Sequence, residues 1–161
     1  MYVAEALWSV VKSLSSILAS RVAQSSDFRE HLLLTKRYLM LGITTTVFGT
    51  LCFFIVPNSW IAPFVDFDIA FIKEGFFFLA PGIIANTITV SFAHLFSGRG
   101  LHQYNFYSAL IGFTVAIICS TMLIPTDHLN GACIAASAAF IAQSLVQILL
   151  FVKLKKKEFS V

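Results

Sequence analysis

Five apolar segments divide the chain, at residues 2–19, 38–56, 76–96, 106–124 and 132–152, with polar stretches between them. Each is close to the ~20 residues that cross a ~30 Å hydrocarbon core as a helix. Backbone N–H and C=O groups inside lipid have to be satisfied within the segment, so helix is predicted in all five. The short alternating segments of a membrane β-barrel are absent from the sequence. The predicted fold is therefore all-α: a polytopic transmembrane bundle of about five spans. It forms one membrane domain over residues 1–161 and ends in a basic tail at 153–161. The first segment is the most polar, with Glu5, Lys12 and several serines.

The sharpest local signal lies between the fourth and fifth segments, in Leu123-Ile124-Pro125-Thr126-Asp127-His128-Leu129-Asn130-Gly131-Ala132. An apolar run stops at a proline, a short polar turn follows, and a second apolar run begins on small residues. This predicts a tight hairpin between two helices. Gly131, Ala132, Ala135, Ala136, Ala139 and Ala142 give the second helix a broad small-residue face, and Gly112 and Ala116 do the same on the first. Such faces let helix backbones approach closely in lipid.

Composition sharpens this picture. Only 12% of the residues are charged and 58% are hydrophobic, against about 25% charged in a soluble domain. Mean hydropathy is +0.85. Too few charges remain to make a wet surface, so the bilayer is the expected solvent. Cys52, Cys119 and Cys133 all fall within apolar runs, where cysteine acts as a small hydrophobe. The start, Met1-Tyr2-Val3-Ala4-Glu5, lacks the basic region of a signal peptide.

Charge placement predicts topology. Arg21, Arg29, Lys36, Arg37, Arg99, Lys153, Lys155, Lys156 and Lys157, nine of the eleven basic residues, fall on one side if all five segments span. The other side holds Lys73 with Asp66, Asp68, Glu74 and Asp127. The positive-inside rule then puts the basic side, and the C-terminus, in the cytoplasm. The lysine-rich tail reads as a topogenic anchor in preference to a site for anionic lipid or a partner. Trp60, just after Pro57, reads as an aromatic anchor at the outer interface. Five spans ending inside imply an outside start, which is natural for the tail end of a longer carrier, so the chain is expected to be part of one.

Three stretches resemble the polysaccharide (O-antigen-type) lipid flippases, relatives of the multidrug and toxin extrusion carriers. The first runs from Ala6-Leu7-Trp8-Ser9 through Ser15 to Arg21-Val22-Ala23, and resembles a span that leaves the membrane at a small "P/S-R-V/I-A" exit. The second, Leu95-Phe96-Ser97-Gly98-Arg99, is similar to the family's "G-R/K" cytoplasmic turn. The third is the hairpin, similar to "LIP…GxxGAAIAT", although His128 stands where the family usually has glycine. The resemblance implies spans eight to twelve of a twelve-span carrier in a bacterial inner membrane. It implies translocation of an isoprenoid-pyrophosphate-linked oligosaccharide during lipopolysaccharide or other surface polysaccharide synthesis. The partners it implies are membrane lipid, that substrate and other polysaccharide-assembly membrane proteins, with no nucleic acid and no cofactor. Two alternatives stay open: a multidrug or cation antiporter of the related type, and a small membrane scaffold without transport activity.

A few residues could carry chemistry. Glu5 and Lys12 lie two helical turns apart on one face. Charge within a membrane usually faces a cavity or a partner. Lys12 would attract a pyrophosphate or acidic sugar, and Glu5 would be a proton or cation site or a counter-ion. Both could instead snorkel to the interface. In the third segment Pro81 and Gly82 predict a kink, and Asn86 is a mid-membrane amide that lines the cavity or joins helices. Thr44, Thr45 and Thr46 could line a polar path or bond back to their own helix. His94 lies near a helix end, and His31, His102 and His128 are expected in loops, with no ligand cluster. No catalytic, metal, phosphate-loop or dinucleotide motif is present, so no enzyme activity is expected.

Overall fold

The structure, a computed structural model, describes residues 9, 12–13, 16–18, 20–24, 28–58 and 69–159. Three long helices dominate them: α1 (Phe28–Ile55), α2 (Ile69–Gly98) and α3 (His102–Phe159). All three are long and apolar enough to cross a membrane. Segment 38–56 lies mostly in α1, and segment 76–96 lies in α2. Segments 106–124 and 132–152 both lie in α3. Segment 2–19 falls largely outside the described residues, as do Glu5, Trp60, Asp66 and Asp68.

α3 is folded back on itself. His128 has φ 45° and ψ −113°, which no helix accommodates. The arms on either side, 102–127 and 129–159, run antiparallel. Gly112 faces Ala139 and Gln143, and Gly131 faces the Leu123 carbonyl. The reversal is tighter than the polar turn read from sequence, because helix continues past Pro125. Proline there removes only the donor to the Thr121 carbonyl, near the end of the arm, where carbonyls begin to lack helical partners anyway.

α2 stands in the middle, packed against α1 on one side and against α3 on the other. It ends in a Schellman cap. Leu101 N donates to Phe96 O at 2.8 Å and Gly100 N to Ser97 O at 3.0 Å. Gly100 takes φ 71°, a conformation glycine adopts without steric cost. Leu101 also packs on the cluster of Leu18, Val22, Phe92, Leu95, Phe96 and Leu154, which Leu34 and Tyr38 of α1 join. Arg99 is paired with Glu158 beside it. The basic residues of α1, Arg99 just past α2 and the lysines that close α3 therefore gather at one end of the bundle. At the other end Phe53 and Phe54 pack on Phe76 and Ile83. There Lys73 Nζ donates to the Val56 carbonyl at 2.7 Å, placing a cation where the α1 carbonyls are unsatisfied. Asn130 Nδ2 donates to Glu74 Oε1 at 3.0 Å at that same end.

Away from the two apolar clusters, the side chains are arranged inside out. On α1, Thr46 is 1% exposed while Phe48 is 68% exposed. Thr87, Ser91, Ser108 and Gln147 are buried, whereas Ile55, Phe113, Met122 and Leu149 are exposed. Water would penalise this pattern, since buried positions normally go to large hydrophobic residues. In hydrocarbon the exposed apolar side chains cost nothing, and hydroxyls and amides are best placed between helices. The helical composition and the side-chain arrangement both describe a membrane protein.

Candidate functional site

The polar residues inside the bundle lie along the two sides of α2. Toward α1, Thr46 and Thr87 meet with their hydroxyl oxygens 2.9 Å apart. Thr87 Oγ1 also donates to Ile83 O at 3.1 Å. A hydroxyl has one proton, so with that proton committed Thr46 is the donor between the two. Thr35 and Thr50 lie on the same buried side of α1, and their hydroxyl oxygens are buried without a hydrogen-bond partner. Of the three consecutive threonines singled out in the sequence, Thr46 is buried in this seam, Thr45 is half-buried and Thr44 is exposed.

Toward α3 a second set of polar groups ties α2 to the first arm, and the first arm to the second. Asn105 Nδ2 donates to Ala93 O at 2.9 Å and to Ser97 Oγ at 3.0 Å. Ser108 Oγ donates to Asn105 O at 2.9 Å. Gln147 Nε2, from the second arm, donates to Ser108 Oγ at 3.1 Å. Gln147 is fully buried, and its Oε1 and Asn105 Oδ1 are buried acceptors with no donor. Two variants separate the effects. Gln147→Leu removes one hydrogen bond together with an orphaned carbonyl, so stability should change by less than about 1 kcal/mol. Gln147→Glu puts a carboxylate in the same buried place and should cost roughly 3 kcal/mol or more unless it protonates. Reversible unfolding in mixed micelles reads both. Equal losses would overturn the burial of this side chain.

The predicted site residues are distributed as follows. Lys12 is helical and exposed, and Glu5 lies outside the described residues. Asn86 is half-buried on α2, on the same helix face as Gly82 and Ala93, which is the face that meets α3. No hydrogen bond joins Lys12 to Asn86. Pro81 is inside α2 and exposed. Gly82 is buried against Ser137, whose hydroxyl donates to Phe78 O at 2.6 Å. His31 is buried within α1 rather than in a loop. His102 opens α3 and His128 sits at its reversal. Helix starts ahead of the apolar run because Arg29, Glu30, Lys36 and Arg37 are all good helix formers.

Asn105, Ser108 and Gln147 were not singled out from the sequence. The signal available was the amide of Gln147 within an apolar run, the same kind of signal that marks Asn86. With the hairpin register in hand, Ser108 and Gln147 become neighbours. These groups supply hydrogen-bond donors and acceptors between moving or static helices. No family model, curated protein or solved structure matches the chain.

Proposed function

We propose that the chain belongs to a membrane carrier that moves a lipid-linked oligosaccharide across the bacterial inner membrane for surface polysaccharide assembly. Five crossings would place the basic end in the cytoplasm. The observation that carries this reading is the position of α2. A helix with an internal proline, Pro81, is packed against both other long helices. It contacts α1 through Thr87 and α3 through Gly82. A bend at that proline would be transmitted to both neighbours at once, which suits a carrier that opens alternately to either side. The hairpin motif and the Gly98-Arg99 turn support the same reading by resemblance. Lys12, exposed and accessible, would attract the pyrophosphate of the substrate, with Glu5 as its counter-charge and Asn86 on the cavity wall.

The test is export. Deleting the gene should abolish surface polysaccharide and leave its lipid-linked precursor in the inner leaflet. Restoring the gene with Lys12→Ala should return only about a tenth of the export at equal membrane insertion, the loss expected for one charge-assisted contact. Lys12→Arg keeps the charge with a different donor geometry and should return an intermediate amount. Normal surface polysaccharide after deletion sinks the flippase reading. Normal export by Lys12→Ala removes only the role given to this lysine.

A further inference from the structure

Two lipid-facing rows of the bundle end in basic residues at the same end. On the second arm of α3, Ile141, Leu145, Leu149 and Val152 are exposed and recur at the three- and four-residue spacing of one helix face. The next position on that row is Lys156, with Lys153 and Lys155 on its flanks, and all three are exposed. On α1 the corresponding row runs through Ile55, Leu51, Phe48 and Leu41 and continues to Arg37, which is exposed as well. Lys157 is exposed too, but by helical spacing it lies off the row, nearer the side on which Leu154 is buried.

The two rows end at one level. Leu154 belongs to the buried cluster with Phe92, Leu95 and Phe96, and Tyr38, next to Arg37, packs on the same cluster. The lysines therefore ride on a helix fastened to the bundle. Glu158 is held by Arg99, so the acid nearest the lysines is already engaged. Among the described residues the opposite end has Lys73, which donates to the Val56 carbonyl.

We infer that Arg37 and Lys156, flanked by Lys153 and Lys155, form a collar that binds the headgroups of anionic phospholipids in the leaflet at that end. A topogenic signal needs basic residues near the membrane and is indifferent to the face they occupy. Here they extend the faces that meet lipid. A lysine or arginine stem rising one turn beyond the last apolar residue keeps its carbons along the acyl chains and carries its charge to the phosphate. Each such charge near an anionic surface adds to the attraction. The inference needs membrane residence, and is independent of the substrate proposed above.

The full chain is reconstituted in phosphatidylcholine vesicles containing phosphatidylglycerol. Spin-labelled forms of each lipid report which one occupies the motionally restricted shell around the protein. The parent should prefer phosphatidylglycerol, and high salt should weaken the preference. Changing both on-row residues, Arg37→Gln with Lys156→Gln, should lower it by about fivefold or more. Lys157→Gln, with the same loss of charge as Lys156→Gln alone, should lower it much less. No preference in the parent overturns the inference. So does an equal effect of Lys156→Gln and Lys157→Gln, which would mean that net charge alone is read.

Discussion

Replacing Gly131 by alanine should break the α3 hairpin. A Cβ at this position falls on the Leu123 carbonyl, with Ile124 N also only 3.1 Å away. These are backbone atoms, so no rotamer change relieves the overlap. The arms have to separate at the reversal, where they are closest. Overpacking of this kind costs about 3 kcal/mol or more when the neighbour cannot move. Three positions earlier the sign reverses. His128 holds φ 45° and ψ −113°, a region that burdens a side-chain-bearing residue by roughly 1–3 kcal/mol. His128→Gly removes most of that strain while adding freedom to the unfolded chain worth about 0.4–1 kcal/mol. The net result should be a gain of about 1 kcal/mol. Unfolding in mixed micelles should therefore show Gly131→Ala losing stability and His128→Gly gaining it. The opposite pair of signs would mean that the reversal is centred elsewhere.

How much of this was legible in the sequence differs from element to element. Runs of apolar residues mark where hydrocarbon surrounds the chain, and the interiors of α1, α2 and α3 fall there. Such runs say nothing about helix that continues into water. So the early turns of α1, with a buried His31, and the helical extension through Lys157 were not visible as helix. The hairpin was legible because proline, a polar turn and small residues are local signals. Its tightness was not, since Pro125 was read as the stop and the stop is at His128. Polar contacts between helices were the least legible. The pairing of Gln147 with Ser108, or of Thr46 with Thr87, depends on which helices are neighbours and in what register. Asn86 stood out because it is an amide in the middle of an apolar run, and Lys12 because it is a charge within one. The structure leaves Lys12 exposed and places Asn86 toward α3, without joining them.

Widening Gly82 should separate α2 from the second arm of α3. A Cβ here would lie 2.6 Å from Ser137 Cα and 2.7 Å from its hydroxyl oxygen. The two helices thus touch through backbone, one residue after Pro81. That proline cannot donate to the Phe77 carbonyl and disturbs the helix beside it. The adjacent Phe78 carbonyl takes a hydrogen bond from Ser137 across the same contact. Gly82→Leu should abolish the close approach and this bond together, at a cost of about 3 kcal/mol or more. Ser137→Ala removes only the bond, and should cost about 1 kcal/mol. In the double variant the serine change should add almost nothing, since its bond is already lost, and a double-mutant cycle measures that coupling. Full additivity would show that Ser137 and Gly82 act apart. Pro81→Ala then tests whether the proline lets α2 flex. It supplies the missing N–H and favours a straight helix, so the folded bundle should be at least as stable as the parent. If α2 has to flex during transport, the same variant should lose most of its export of surface polysaccharide at undiminished protein level. Export equal to the parent's would leave the proline without a part in transport, and would remove from the carrier reading the observation on which it rests.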